Sequence, residues 1–300
     1  MMSTYDALSS LSSNIIDDID AFPSYSVMLG VAPSKGARSP KLWNSLLGYS
    51  SRMVCIDIPD LTGLATAIKL LEGDPRCIGG SVTAPYKESI YRLCNEHTSM
   101  ARFSKACNNF YRSSETNKFR ADNTDSHGFV KALTSQVIAS EFDAVVILGT
   151  GGVAKAVAAG ALEIFQEVAP IYMLTRRSPA RESICGITPI RYSSFVDQLV
   201  DLVGARTLIV NCTSAGDYND PDSDPLIAIP CLKQILDNLN VSYLFDCIHT
   251  PSPTRLSSLF CPNSQDGVYM NLAQAVIAFT NVYKDYNPAT VHTHFLSVAL

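Results

Sequence analysis

The stretch VVILGTGGVAKAV, at residues 145–157, constrains the fold more than any other part of the chain. The apolar run from Val145 to Leu148 is typical of a buried strand, and it passes through three glycines directly into a helical pattern. Glycines let a backbone approach a pyrophosphate closely, and the helix N-terminus offers free N–H groups to it. The motif predicts a dinucleotide-binding turn whose contacts are made by Gly149, Thr150, Gly151, Gly152 and Val153.

Two other interpretations of the glycine-rich turn compete with a dinucleotide site. A tight strand-to-helix turn with no ligand would also use glycines. A phosphate-binding loop of the Walker type is excluded, because no Gly-Lys-Ser/Thr follows. Ala154 stands where the dinucleotide fingerprint has Gly or Ala, which favours the dinucleotide reading.

The end of the next predicted strand indicates which dinucleotide is bound. NAD sites usually place Asp or Glu there to bond the ribose 2′-hydroxyl. The stretch YMLTRRSPAR, at 172–181, ends in basic residues instead. An acid would repel a 2′-phosphate, whereas arginine binds one with bidentate geometry. The sequence therefore favours NADP over NAD, with contacts from Thr175, Arg176, Arg177 and Arg181.

Strand and helix patterns alternate on both sides of this motif. Strand-like runs at 25–30, 53–59 and 77–83 alternate with helical patterns at 61–73 and 88–97, a rhythm that implies a mostly parallel sheet. A polar, turn-rich segment at 112–125 and a helix at 126–136 separate this series from a second one. The second series has further strands at 171–177, 207–216 and 243–248, and a long apolar helix follows at 269–283.

Charge and cysteine content restrict the classes of binding partner and the cellular compartment to be expected. The formal charge of −5 disfavours nucleic acid and anionic membrane surfaces, which usually meet a basic patch. Nine cysteines without a CxxC pair favour reduced thiols and a cytoplasmic location. Neither a signal peptide nor a membrane span is expected. The HTH triplet at 292–294 has too few companion ligands to predict a metal site.

Lys87 follows a short stiff loop, GGSVTAPYKE, at 79–88. Pro85 fixes its own φ and pushes Ala84 towards extended conformations, so a restricted backbone aims the lysine. A surface charge and a proton-handling lysine are both compatible with this loop.

Four stretches in the same order, together with the glycine-rich turn, resemble the shikimate/quinate dehydrogenase family. They are SVTAPYK at 81–87, ADNTDSHGF at 121–129, NCTSAG at 211–216 and DGVYMNLAQAVIAF at 266–279. The resemblance covers residues 24 to 283 and implies a catalytic pair, Lys87 and Asp125. Reduction of a ring ketone needs a proton for the new alkoxide, and a positioned lysine can supply it.

The same resemblance assigns contacts on both sides of the reaction. Thr83, Asn108 and Gln274 match substrate-binding positions, although Asn108 could instead cap a turn. The residues that match the nicotinamide side are Cys212, Thr213, Ser214, Ile248, Gly267 and Met270. Met270 could equally be a core packing residue.

Two departures from the family pattern bear on the substrate. In GARSP, at 36–40, Ala37 replaces a serine that the family uses for the substrate carboxylate, while Ser39 remains. In DCIHTPSPT, at 246–254, His249 replaces a tyrosine. Ser39 and His249 are still predicted to bind substrate, although His249 could instead be a surface substitution. A missing charge-assisted hydrogen bond costs about 1.5–3 kcal/mol, so quinate or another cyclic hydroxy acid gains relative to shikimate.

We therefore predict a two-lobed α/β protein with an N-terminal α/β substrate domain and a Rossmann-type NADP-binding domain. The substrate domain is expected at 24–125 and 256–300, the dinucleotide domain at 126–255, and a leader at 1–23. The predicted activity is NADP-dependent, reversible oxidation of a ring hydroxyl on a small cyclic hydroxy acid, by a monomer or homodimer, with the substrate in the cleft between the lobes. The alternatives are a metabolite or NADP sensor without turnover, and a dehydrogenase of a different hydroxy acid.

Overall fold

A computed structural model of the chain describes residues 3–49, 51–83, 85–176, 183–216, 223–250 and 252–299. The chain forms two compact units. The first unit consists of Met1–Thr124 and Gln274–Leu300, and the second unit consists of Asp125–Ala273.

The elements of both units are short and closely spaced. The strands are β1 (Asn14–Ile16), β2 (Ser24–Gly30), β3 (Ser51–Asp57), β4 (Cys77–Val82), β5 (Glu96–His97), β6 (Asn109–Arg112), β7 (Phe119–Asp122), β8 (Ala144–Leu148), β9 (Ile171–Thr175), β10 (Ile190–Arg191), β11 (Arg206–Asn211), β12 (Asn240–Asp246) and β13 (Ser264–Gln265). The helices are α1 (Thr4–Ser9), α2 (Ser39–Asn44), α3 (Leu61–Gly73), α4 (Lys87–Leu93), α5 (Ser99–Ser104), α6 (Thr124–Thr134), α7 (Gly152–Phe165), α8 (Tyr192–Val196), α9 (Pro225–Ala228), α10 (Leu232–Asn238), α11 (Arg255–Leu259), α12 (Val268–Val282) and α13 (Pro288–Ala299).

The first unit is built on a mixed sheet of seven strands in the order β1-β3-β2-β4-β6-β7-β5. Its centre is parallel, since β2 pairs in parallel with both β3 and β4. The flanks are partly antiparallel, because β6 pairs antiparallel with β4 and β7 pairs antiparallel with β6. The turn-rich reading of 112–125 is therefore wrong at Phe119–Asp122. Phe119 and Ala121 are fully buried in this strand. The polar residues around them in the sequence hide the strand pattern.

The predicted leader at 1–23 is not separate from the first unit. Strand β1 pairs antiparallel with β3. Leu8 and Ile19 are fully buried in the same apolar core as Val27 of the central strand β2. Burial of these side chains holds the segment expected as a leader against the sheet of the first unit, an order that the sequence left open.

The last two helices complete the core of the first unit. Phe279 on α12 makes edge-to-face contacts with Trp43, at 5.4 Å between ring centroids, and with Phe295 on α13, at 5.5 Å. The hydroxyl of Tyr283 lies 3.1 Å from the Ser26 hydroxyl and 3.0 Å from the Ser51 hydroxyl. Tyr283, which directly follows α12, thus contacts β2 and β3.

The second unit is built on a parallel sheet with the strand order β10-β9-β8-β11-β12-β13. Counted in chain order within this unit, the sequence of strands is 3-2-1-4-5-6, the order of a Rossmann dinucleotide-binding sheet. The predicted Rossmann-type fold is confirmed. The unit extends to Ala273, beyond the predicted boundary at 255, because β13 pairs with β12 and Met270 is buried in its core.

No helix in the described part of the chain is long and apolar enough to cross a membrane.

Candidate active site

The glycine-rich turn lies between β8 and α7, at the point where the strand order of the second sheet reverses. Gly149 has φ of 106°, a left-handed conformation that favours glycine, and a Cβ there would lie 3.2 Å from the carbonyl oxygen of Cys212. A Cβ at Gly151 or Gly152 would meet no atom within 4 Å. These two glycines face open space at the start of α7, a place where helical N–H groups can meet a phosphate.

The predicted 2′-phosphate site begins at the end of β9. The Thr175 hydroxyl is buried and lies 3.4 Å from the hydroxyl of Thr150 in the glycine-rich turn. Arg176 is exposed, and its Nη1 lies 3.5 Å from the carbonyl oxygen of Ala228, at the limit of a hydrogen bond. The other two predicted arginines, Arg177 and Arg181, lie outside the described residues.

A buried polar pair joins the carboxyl ends of β11 and β12. Asn211 Nδ2 donates to Asp246 Oδ1 over 2.9 Å, and Asn211 Oδ1 accepts from the backbone N–H of Thr213 over 3.1 Å and from its hydroxyl over 2.8 Å. Asp246 Oδ1 also accepts from the backbone N–H of Ile248. The pair therefore shapes both of the loops that the family resemblance places beside the nicotinamide.

The second oxygen of Asp246 accepts from the hydroxyls of Thr254 and Ser257, over 2.5 and 3.1 Å. Burial raises the pKa of Asp246 even though these hydrogen bonds and those from Asn211 and Ile248 act to lower it. Sequence reasoning did not single out Asn211 or Asp246. The available signal was a polar residue at the end of each of two apolar strands.

The residues predicted on the nicotinamide side occupy different environments. Cys212 and Thr213 are partly exposed and Ser214 is exposed, whereas Ile248 is buried. A Cβ at Gly267 would lie only 2.3 Å from the carbonyl oxygen of Cys247, so the chain passes too close there for any side chain. Met270 packs in the core of the second unit, the alternative considered for it from sequence.

His249 is held by the first turns of α12. Its Nε2 lies 3.2 Å from Asn271 Nδ2. Which of the two groups donates depends on the tautomer of the imidazole ring. Asn271 was not identified from sequence.

Lys87 is the first residue of α4, and the loop before it is firmly anchored. The backbone N–H of Thr83 donates to Leu29 over 2.9 Å, and the Tyr86 hydroxyl donates to the carbonyl of Ile58 over 2.8 Å. A Cβ at Gly30 would lie 2.2 Å from the Thr83 hydroxyl oxygen, so glycine is required beside it. Lys87 itself is partly buried. These contacts hold Thr83 and Tyr86, whereas Ala84, which Pro85 is predicted to restrict, lies outside the described residues, so the rigidity of the loop stays a prediction.

Two predicted substrate-binding residues meet in the first unit. Asn108 Oδ1 accepts from the backbone N–H of Thr124 over 2.8 Å, and Asn108 Nδ2 lies 3.4 Å from Gln274 Oε1. The Thr124 hydroxyl lies 3.2 Å from the same Gln274 oxygen. Asn108 thus also satisfies the first N–H of α6, in keeping with its alternative reading as a cap. Thr124 was not identified from sequence.

Two further predicted residues lie at helix starts. Asp125 follows Thr124 in the first turn of α6 and is buried. Ser39 is the first residue of α2 and is partly exposed. Among the residues that the structure describes, no group of three or more His, Cys, Asp or Glu side chains is arranged to hold a metal ion.

Curated relatives identify the family. A protein of Nostoc sp. strain PCC 7120 is 31% identical over 219 residues, which cover 67% of this chain and 70% of the relative. A protein of Prochlorococcus marinus strain MIT 9301 is 30% identical over 210 residues, which cover 67% and 71%. Both carry the name shikimate dehydrogenase (NADP(+)). The chain belongs to the shikimate dehydrogenase family.

Solved structures of shikimate dehydrogenases share the fold. The Listeria monocytogenes enzyme in complex with shikimate and NAD matches with a TM-score of 0.72 at 18% identity, covering 94% of this chain and 99% of that one. The Thermus thermophilus enzyme in complex with NADP(H) and shikimate matches with a TM-score of 0.68 at 22% identity, covering 92% and 99%. No family model matches the chain. The shikimate dehydrogenase resemblance carried by the sequence motifs is confirmed.

Proposed function

We propose that this protein catalyses the reversible, NADP-dependent oxidation of a ring hydroxyl on a cyclic hydroxy acid of the shikimate or quinate type. The observation that carries the proposal is the open glycine-rich turn at the strand-order reversal of the second sheet. In sheets of this kind, dinucleotides bind outside the carboxyl ends of the strands at that reversal.

NADP is the cofactor that the residues at the end of β9 favour. The two described residues there are a buried Thr175 and an exposed Arg176, and neither carries the carboxylate that NAD sites use. Arg176 can approach a 2′-phosphate from solvent, with Arg177 and Arg181 following in the sequence. The curated relatives named NADP(+) enzymes support the same choice.

Lys87 and Asp125 handle the proton in this proposal. When bound, NADP supplies the nicotinamide ring that takes the hydride from the carbinol carbon. Lys87, in its neutral form, accepts the proton of the reacting hydroxyl as the carbonyl forms, and returns it in the reverse direction. The family resemblance supports Asp125 as the partner of the lysine, with its carboxylate accepting from a neighbouring substrate hydroxyl. Asp125 is buried, and a hydrogen bond is stronger in surroundings of low dielectric.

The polar cluster of the first unit supplies donors for the substrate ring. Gln274 Oε1 faces Asn108 and Thr124, which leaves the Gln274 amide nitrogen to donate to a ring hydroxyl. The Thr83 hydroxyl, anchored against Gly30, provides a second contact. Ser39 and His249 are the proposed contacts to the carboxylate.

The test is NADPH formation, followed by absorbance, with shikimate and quinate each assayed against NADP and NAD. We expect turnover with NADP, and a loss of about 100-fold or more in Lys87→Ala, the usual contribution of a general acid–base group. Lys69→Ala, at an exposed site on α3, is the matched control and should keep wild-type rates. NADP binding by both variants should be unchanged.

Near-wild-type turnover in Lys87→Ala would refute the mechanism. NADP binding without turnover of either acid would instead favour a sensor or a different hydroxy acid. In that case Ala37→Ser combined with His249→Tyr becomes informative, because regained activity would locate the difference at the carboxylate contacts.

A further inference from the structure

Two thiols are in contact where β11 and β12 end. The Sγ atoms of Cys212 and Cys247 lie 3.6 Å apart, and both residues are partly exposed. Four other cysteines, Cys55, Cys77, Cys94 and Cys107, are buried. The pair therefore combines proximity with access at Cys212, whereas the thiol of Cys247 is itself buried.

The backbone geometry around the pair suits a disulfide. Cys212 and Cys247 directly follow Asn211 and Asp246, which are paired in register on adjacent parallel strands. The backbone N–H of Cys247 donates to the Asn211 carbonyl over 2.9 Å, so the ladder continues to the cysteine. Neighbouring strands lie about 4.8 Å apart, within the range of roughly 4.4–6.8 Å that disulfides span between Cα atoms. Side-chain rotation is the main movement required.

Two glycines hold the backbone of the pair in place. A Cβ at Gly149 would lie 3.2 Å from the carbonyl oxygen of Cys212, and a Cβ at Gly267 would lie 2.3 Å from that of Cys247. Close approach of other chain segments therefore fixes both carbonyls. The two sulfurs are directed towards each other by a backbone with little room to move.

We propose that Cys212 and Cys247 form a reversible disulfide on oxidation by a hydroperoxide, and that this bond weakens cofactor binding at the loop that follows β11. The first part rests on the geometry of the two thiols. The second part rests on the proposed function, in which Cys212, Thr213 and Ser214 border the cofactor.

The chemistry balances with peroxide as the named oxidant. The Cys212 sulfur attacks one peroxide oxygen, so that an S–O bond forms, the O–O bond breaks and one water leaves after protonation. The Cys247 sulfur then attacks this sulfenic acid, the S–S bond forms, the S–O bond breaks and a second water leaves. Two thiols lose two electrons in total, and hydrogen peroxide becomes two waters.

The order of the two steps follows from the surroundings of Cys247. Its hydrogen bond with Cys212, its burial and the nearby charges of Asp246 and Asp125 raise the pKa of the Cys247 thiol well above its usual value. A thiol that ionises poorly is a slow first nucleophile. Cys247 is therefore assigned the resolving step.

The disulfide changes the cofactor-side surface because the two sulfurs must close from 3.6 Å to about 2.05 Å. The backbone at Cys212 stays in place, since Gly149 packs against its carbonyl and Asn211 holds the backbone N–H of Thr213. Rotation of the Cys212 side chain therefore turns its sulfur away from the proposed cofactor and removes its thiol as a hydrogen-bond donor. Loss of one or two hydrogen bonds to the cofactor corresponds to about tenfold weaker binding.

The experiment uses the full chain, reduced, freed of reductant and exposed to hydrogen peroxide. Digestion without reductant is expected to yield a peptide that joins Cys212 to Cys247, lighter by two hydrogen atoms than the separate peptides and released by dithiothreitol. Cys261→Ser removes an exposed thiol and should still yield the linked peptide, whereas Cys247→Ser should not. Absence of the linked peptide from oxidised wild-type protein would overturn the proposal.

Calorimetry with NADP then tests the consequence. Oxidised wild-type protein should bind NADP about tenfold more weakly than reduced protein, with recovery after dithiothreitol. In Cys212→Ser, which lacks the thiol that attacks peroxide, the affinity of that variant should be the same before and after peroxide. Equal affinities in oxidised and reduced wild-type protein, or an equal loss on oxidation of Cys212→Ser, would overturn the second part. If reduced wild-type protein does not bind NADP, the proposed function fails, while the linked peptide still decides whether the disulfide forms.

Discussion

Replacement of Asn211 by alanine tests the polar pair that joins the ends of β11 and β12. The variant removes the hydrogen bond to the Asp246 carboxylate, and a bond to a charged group contributes about 1.5–3 kcal/mol. It also removes the acceptor of the Thr213 backbone N–H, a neutral bond that contributes about 0.5–1.5 kcal/mol. The expected loss in the free energy of unfolding of the second unit is therefore about 2–4.5 kcal/mol.

The assay separates the two units by their probes. Trp43 is the single tryptophan of the chain and is buried in the first unit, so its fluorescence follows that unit. Circular dichroism in the far ultraviolet follows both units. In urea at pH 8, Asn211→Ala should shift the dichroism transition to lower urea. Asn238→Ala removes an exposed hydrogen bond on α10 and should change the free energy by less than about 0.5 kcal/mol.

A second variant at the same position, Asn211→Asp, should make the stability of the second unit depend on pH. It places a second carboxyl 2.9 Å from an oxygen of Asp246, and two close carboxylates raise each other's pKa. A pKa raised in the folded state contributes stability at low pH that is lost as pH rises through the folded value. Asn211→Asp should thus lose more stability at pH 8 than at pH 5. A loss below about 1 kcal/mol in Asn211→Ala, or no pH dependence in Asn211→Asp, refutes the reasoning.

Further predictions concern close packing and acid stability. Gly267→Ala places a Cβ against the Cys247 carbonyl and should lower the free energy of unfolding by about 1–3 kcal/mol or more, measured in a thermal melt. A Cβ at Gly73 meets no atom within 4 Å, so Gly73→Ala is the control and should cause no such loss. Burial alone would raise the pKa of Asp74, but hydrogen bonds from Arg76 and Tyr25 hold it below its usual value. Ionised Asp74 therefore contributes to the free energy of unfolding above about pH 4, and this contribution is lost as pH falls. Asp74→Asn should lose less stability than wild type between neutral and acid pH, as measured by denaturation followed by tryptophan fluorescence at several pH values.

The Rossmann half of the fold was predictable because its signals are local. The apolar run before Gly149, the glycines themselves and the helix that follows are contiguous, and each has a direct physical reading. The loop before Lys87 has a local signal of the same kind, since Pro85 fixes its own φ.

Contacts between distant residues were not predictable from pattern alone. Asn211 and Asp246 are 35 residues apart, and Asn108 and Gln274 are 166 apart. Nothing in the sequence near Asn211 marks its partner. Family motifs supplied Asn108 and Gln274, whereas Asn211 and Asp246 were recognised only from their hydrogen bonds.

The boundary between the units was misplaced for a related reason. Helix α12 is continuous from Val268 to Val282, yet the boundary falls at Gln274 within it. The helical periodicity of the sequence is the same on both sides of Gln274, so it does not indicate where one hydrophobic core ends and the other begins.

The interrupted layout of the first unit imposes an order on folding during synthesis. Ribosomes add about 5–20 residues per second, so residues 125–273 take roughly 7–30 s to emerge after the first segment. During that interval Trp43 has no Phe279 to pack against, and the hydroxyls of Ser26 and Ser51 have no Tyr283. The second unit is contiguous and is complete before the second half of α12 and the whole of α13 leave the ribosome. A nascent chain therefore has an unfinished apolar surface on its N-terminal segment, the kind of surface that chaperones bind, until these helical segments are released.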